Sequence, residues 1–246
     1  MENLLYPDQP VRCIITGPSE KGKTTLLIHL ILNIVNDYDK IYIYSPSIHQ
    51  ESYRKLIRCF ECTIPVTDIV KLQRLKYDEL ADAIKELVED ENFEPSPVVM
   101  ESYPSIDELM MPEDYDETLK SVIILDDLTE KELQDKRVQS LLKRARHNGI
   151  NVFVISQDYY ELPKKTVRAN GKIFHLFKSD NFRDVQSIYQ DKASMDMTLK
   201  EFKDLCNYTW SEDFRPLTID TTKKKWNGRY RVGLTKVFVP RTDPFT

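Results

Sequence analysis

Short apolar runs recur along the chain, each followed by a stretch of mixed polarity. Val11, Cys13, Ile14 and Ile15 form the first, and Lys40-Ile-Tyr-Ile-Tyr-Ser the second. Ser121-Val-Ile-Ile-Leu, Asn151-Val-Phe-Val-Ile-Ser and Lys172-Ile-Phe-His-Leu-Phe follow. The second run alternates and breaks at Pro46, while four consecutive apolar residues after Ser121 predict a strand covered on both faces, as in a parallel sheet with helices on either side. Between these runs the period becomes helical. Leu26, Leu27, Leu30, Ile31 and Ile34 share one face, and Leu80, Ala83, Ile84, Leu87 and Val88 share another whose opposite side carries Asp82, Lys85, Glu86 and Glu89. Helices are expected over 50–60, 76–90 and 131–146. Strands alternating with helices indicate an α/β doubly wound sheet.

Two stretches depart from this alternation. From 91 to 118, Pro95, Pro97, Pro104 and Pro112 are scattered among acidic residues, which predicts a loop or insertion with one short extended piece at Val98 to Met100. After Thr198, Trp210 and Trp226 stand among short alternating runs, Leu217-Thr-Ile-Asp and Tyr230-Arg-Val-Gly. The expected organisation is a core over 1–197 and a small β-rich extension over 198–246 packed on it.

A chain of 246 residues with 41% apolar content can bury one sizeable core. The net charge of −5 argues against a basic surface everywhere, yet leaves room for a local basic groove. The opening Met-Glu-Asn-Leu-Leu-Tyr-Pro-Asp lacks the features of a secretory signal. The longest apolar run, Leu26 to Val35, is broken by His29 and Asn33 and is too short to span a bilayer. An intracellular protein without a membrane-spanning segment is expected. Four cysteines suit a reducing compartment. Cys59 and Cys62 form a lone C-x-x-C with no second pair, so they read as packed thiols rather than a metal or redox centre.

Chemistry enters at the end of the first strand. Gly17, Gly22, Lys23 and Thr24 fit G-x-x-x-x-G-K-[ST], the phosphate-cradling loop of nucleoside triphosphatases. Glycines let the backbone turn its N–H groups inward, and the following helix offers its positive N-terminal end. Lys23 then neutralises the β- and γ-phosphates, and the Thr24 hydroxyl ligates Mg²⁺. The nucleotide-binding set is therefore Gly17, Pro18, Ser19, Glu20, Lys21, Gly22, Lys23, Thr24 and Thr25, with ATP and Mg²⁺ as the expected ligands.

A second signal is Ile123-Ile-Leu-Asp126-Asp127, a buried strand ending in two carboxylates. A carboxylate at such a tip faces the phosphate loop, which assigns Asp126 with Thr24 to the metal and leaves Asp127 to orient or deprotonate the attacking water. Gln157 ends the next strand, where an amide can bond both γ-phosphate and water. Three arginines are candidates for a finger reaching a neighbour's γ-phosphate: Arg146, then Arg144, both in the basic run before Gly149, and then Arg168. Cations also suit a helix C-terminus by dipole alone, so the finger stays open among them. A basic run, Lys223, Lys224 and Lys225 with Arg229 and Arg231, is the candidate DNA-facing surface.

The phosphate loop, the Ile-Leu-Asp-Asp strand, the Arg-Ala-Arg-His-Asn-Gly-Ile-Asn-Val turn, Ser156-Gln157 and Leu162-Pro-Lys-Lys-Thr-Val-Arg168-Ala-Asn170 occur in an order that resembles the poxvirus-type DNA-packaging ATPases of the FtsK/HerA superfamily. The likeness spans about residues 10–178. It implies a RecA-like P-loop core, a homo-oligomeric ring of five or six subunits, and ATP hydrolysis at subunit interfaces. It also implies translocation of double-stranded DNA into a capsid, contact with capsid or portal-vertex proteins, and a location at the host-cell assembly site or in the virion. One departure is Asp127, which stands where glutamate is usual; aspartate is one methylene shorter, so the water must sit closer. A small-molecule kinase and a nucleotide-gated scaffold with little turnover also use such a loop and remain alternatives.

Overall fold

The computed structural model describes residues 10–35 and 37–241. The amino-terminal stretch that lacks a signal pattern lies outside them.

Strands β1 (Arg12–Thr16), β2 (Lys40–Tyr44), β3 (Val99–Tyr103), β4 (Ser121–Asp126), β5 (Asn151–Ser156) and β6 (Ile173–Leu176) run parallel. Strands β7 (Leu217–Asp220), β8 (Tyr230–Val232) and β9 (Lys236–Phe238) add antiparallel, giving one sheet in the order β3-β2-β4-β5-β1-β6-β7-β8-β9. Alternation along the strands divides the core. Ile14, Tyr42, Ile123, Leu125, Val152 and Val154 face one side, and Cys13, Ile15, Ile41, Ile43, Val122 and Ile124 the other. Both sides are packed, which is why apolar residues occupy both faces of the central strands.

Helices α1 (Lys23–Asn33), α2 (Glu51–Glu61), α3 (Val66–Leu72), α4 (Tyr77–Val88), α5 (Glu130–Leu133), α6 (Lys136–Arg144), α7 (Phe182–Ile188) and α8 (Leu199–Thr209) cover the sheet. No helix is long and apolar enough to cross a membrane among the described residues.

Several expectations are corrected. The stretch from 91 to 118 contains β3, an edge strand longer than the piece expected at Val98 to Met100, and a 3-10 turn, Pro112–Asp114. Ile106, Leu109 and Tyr115 anchor this stretch in the core, with its acidic residues on the outer side. Its edge position explains the weak pattern, since only one flank of β3 is paired. The helix expected over 131–146 is two, split where Asp135 caps α6 by accepting from the Arg137 amide. Helices α3 and α7, too short to show a helical period, carried no expectation, and α8 opens the stretch read as β-rich. No disulfide joins the four cysteines; Cys59 is buried in α2, where burial pushes its thiol up to about 12.

The sheet has two chemically different ends. Because β1 to β6 are parallel, their C-terminal tips lie together, and the segments after Thr16, Tyr44, Asp126, Ser156 and Leu176 meet there. Strand β7 runs the other way, Leu217 opposite Leu176, so the loop before it also reaches this end while the turn after Asp220 lies at the far one.

Candidate functional site

The phosphate loop turns between β1 and α1. Gly17 (φ 151°) packs so closely on Phe177 that an added Cβ would sit 2.6 Å from the Phe177 Cβ, and Gly22 caps α1 in the left-handed region (φ 87°). Glu20 is also left-handed (φ 62°), a conformation uncommon outside glycine. No side chain caps α1, so its leading N–H groups are free to bind an anion at the positive end of an 11-residue helix. Lys23 Nζ donates to the Pro18 carbonyl at 2.8 Å, inside its own loop. Burial lowers its pKa, partly offset by Asp126, Asp127 and Asp158. An ammonium held this way gains from a phosphate that replaces its solvent.

Asp126 ends β4, 6% exposed, directly across the tip row. Its carboxyl is pushed up to about 6 by burial and then by Asp127; Tyr53 and Lys23 pull the other way. Tyr53, on α2 and fully buried, donates its hydroxyl to Asp126 Oδ2 at 2.6 Å. The same phenolic oxygen engages the Thr24 side chain, so Thr24 and Asp126 are gathered around one buried hydroxyl. No group of three or more His, Cys, Asp or Glu side chains able to hold a metal occurs among the described residues. A hydroxyl and one carboxylate are hard oxygen donors of the kind that would suit a magnesium ion. Tyr53→Phe removes a donor from a buried carboxylate and should cost about 1–3 kcal/mol of stability. Urea unfolding of both proteins checks this, and an unchanged midpoint would refute it.

Asp127 turns out of the strand in the left-handed region (φ 57°) and is exposed. Two donors hold it: Ser47 Oγ at 3.1 Å on Oδ2, and Gln157 Nε2 at 3.2 Å on Oδ1. A non-glycine residue in this conformation stores strain of a kind found at functional sites. Together these groups line a cavity of about 790 Å³ with Ser19, Glu20, Gly22, Lys23, Thr24, Thr25, Asp126, Asp127 and Gln157 at its wall. Its size suits a nucleotide.

The three arginines are absent from the lining of this cavity. Arg144 and Arg146 precede β5 and Arg168 precedes β6, so their backbone lies on the segments that lead into these strands rather than at the tips where the phosphate loop turns. Arg168 is buried, 3.0 Å from Asp191 and against the Tyr159 ring. Arg144 bonds Ser140 and pairs with Glu113 at 3.3 Å. Arg146 is exposed and makes no hydrogen bond or ion pair with the described residues, while Arg12 and Lys172, both with lowered pKa, feel its charge after that of their own burial. The basic run is likewise divided: the turn at Lys224 is exposed, but Arg229 pairs with Asp196 and Arg231 is buried beside Asp220, which removes both from the candidate DNA surface.

Tyr53, Ser47 and Phe214 are site residues with no motif to announce them. Ser47 follows β2 at the tip row, a position deducible only from strand order. Tyr53 could have been sought as the apolar-face residue at the start of α2, and Phe214 carries no sequence signal at all.

A model of the family described as Poxvirus A32 protein matches residues 80–207, a span that begins after the phosphate loop and contains Asp126, Asp127, Arg144, Arg146, Gln157 and Arg168. No curated protein matches. Among solved structures, the fold is similar to the genome packaging NTPase B204 from Sulfolobus turreted icosahedral virus 2. Its complex with sulfate gives a TM-score of 0.54 at 13% identity, covering 87% of this chain and 93% of that one. Its complex with ATP-gammaS gives 0.53 at 14%, covering 87% and 94%. At such identity the likeness concerns the fold, a RecA-like P-loop arrangement.

Proposed function

The chain belongs to the Poxvirus A32 protein family, and from that premise we propose that it is an ATP-driven motor that moves double-stranded DNA into a viral capsid. The observation that carries this reading is the meeting, in one cavity, of an uncapped helix N-terminus, Lys23, Thr24, Asp126 and the Asp127–Gln157 pair.

In this reading the loop amides from Gly17 to Thr25 cradle the phosphates, and Lys23 leaves the Pro18 carbonyl for the β- and γ-phosphates. Thr24 and Asp126 would hold Mg²⁺, which would supply positive charge to the transferring phosphoryl group. Asp127 orients the attacking water and takes its proton, with Ser47 and Gln157 fixing both carboxylate oxygens. Gln157, freed on one side by the nucleotide, senses the γ-phosphate. Placing water beside two held acceptors favours hydrolysis over transfer to a small molecule.

The finger comes from a neighbour. Arginines outside the cavity of their own chain suit head-to-tail association, which closes into a ring of five or six copies. Arg146 is the best finger, since Arg168 is committed to Asp191 and Arg144 to Ser140 and Glu113. Residues 1–197 serve as the ATPase core and 198–246 as an extension contributing to both ends. DNA is gripped by phosphate contacts near Lys224, independent of sequence and weakened by salt. Capsid or portal-vertex proteins and the host-cell assembly site, or the virion, are the partners and place this activity implies.

The test is complementation between subunits. Arg146→Ala should lower turnover by about a thousandfold, the worth of a finger. Mixed with Lys23→Ala, also inactive alone, it should recover measurable hydrolysis, because some interfaces then join an intact loop to an intact arginine. Absence of recovery would reject Arg146 as a group acting in trans.

A further inference from the structure

We propose that Phe214 is the platform on which the nucleobase stacks, so that the segment between α8 and β7 supplies the base end of the nucleotide site. This rests on the reading of the cavity as a nucleoside triphosphate site.

Strand order gives the nucleotide a direction. Asp126, Asp127, Gln157 and Ser47 follow β4, β5 and β2, on one side of β1, while β6 and β7 lie on the other. Phosphates seated on the α1 N-terminus with their γ end toward Asp127 leave the base on the β6–β7 side. Phe214 stands there. It lines the same cavity, and its ring edge would be 3.4 Å from a Cβ placed on Gly22.

The chain holds this ring out at a cost. Phe214 is 67% exposed and its backbone is left-handed (φ 58°), so an aromatic side chain is both left in water and strained. Its neighbours are pinned. Arg215 donates through Nε to the Thr209 carbonyl at 2.7 Å and through Nη2 to the Tyr208 carbonyl at 2.7 Å, tying the loop to the end of α8. Trp210 Nε1 donates to the Leu176 carbonyl at 3.0 Å, tying that end to the tip of β6. A flat apolar ring on a tied loop beside an anion site, at the end away from Asp126, matches the π-face of a base. Stacking reads the face and not the edge, so purines are accepted alike.

Equilibrium binding of ATP, GTP and inorganic tripolyphosphate separates the base from the phosphates. Phe214→Ala should weaken ATP and GTP about tenfold each, the scale of one lost aromatic stack, while tripolyphosphate binds as to the parent. Phe214→Trp should retain ATP affinity, with indole fluorescence quenched by ATP and not by tripolyphosphate. Equal weakening of all three ligands, or unchanged ATP affinity, would overturn the stacking role. A parent chain that binds neither ATP nor tripolyphosphate would overturn the triphosphate reading, and the stacking role with it.

Discussion

Lys23→Ala should abolish measurable ATP turnover, with a loss of at least about a hundredfold, the scale on which a single preorganised electrostatic group acts. The size follows from its setting. Lys23 is half-buried, tied to its own loop carbonyl, and flanked by Asp126, Asp127 and Asp158. Without its ammonium the incoming triphosphate meets those carboxylates with only backbone amides to offset them, so affinity and rate fall together. Turnover and nucleotide affinity, measured on the same preparation, check this. A variant that keeps the parent rate would mean that the cavity is not where ATP is split.

Asp127→Asn should behave differently. Its Oδ1 and Oδ2 each accept a hydrogen bond, from Gln157 and Ser47, and the carboxamide keeps the shape while losing the charge and the proton acceptor. Turnover should fall by about a hundred- to ten-thousandfold, the range for a general base, while ATP affinity stays near the parent value. The separation of rate from affinity distinguishes this variant from Lys23→Ala. If the rate falls by less than about threefold, Asp127 only caps the strand end and the water is activated elsewhere.

Much of this molecule is readable from local pattern. Apolar runs at Val122 to Leu125 and Val152 to Ile155 announce strands buried on both faces, because a parallel sheet covered by helices tolerates no polar alternation. Gly17, Gly22, Lys23 and Thr24 declare an anion-binding turn through their spacing alone, since that chemistry is made within one stretch of chain. Edge strand β3 was obscured because it is short, acidic and draws its order from β2, distant in sequence, whereas α8 carries a helical spacing at Phe202, Leu205, Cys206 and Thr209 that the β-rich reading of 198–246 passed over.

The chain's own order of residues determined the strand-and-helix alternation, the phosphate loop and the acidic strand tip that goes with it. Only the tertiary structure decided which groups line the cavity with them or brace them from behind. Tyr53 reaches Asp126, Ser47 reaches Asp127 and Phe214 lies against Gly22 because parallel strands bring their C-terminal tips to one edge while β7 returns to it in reverse. The same topology sets the segments carrying Arg144, Arg146 and Arg168 before the strands they lead into and away from the phosphate loop of their own chain, in keeping with the expectation that a finger among them would serve a neighbouring copy. Spacing along a chain records what is adjacent in a turn or helix; strand order and direction, set by long-range packing, govern what meets across a sheet.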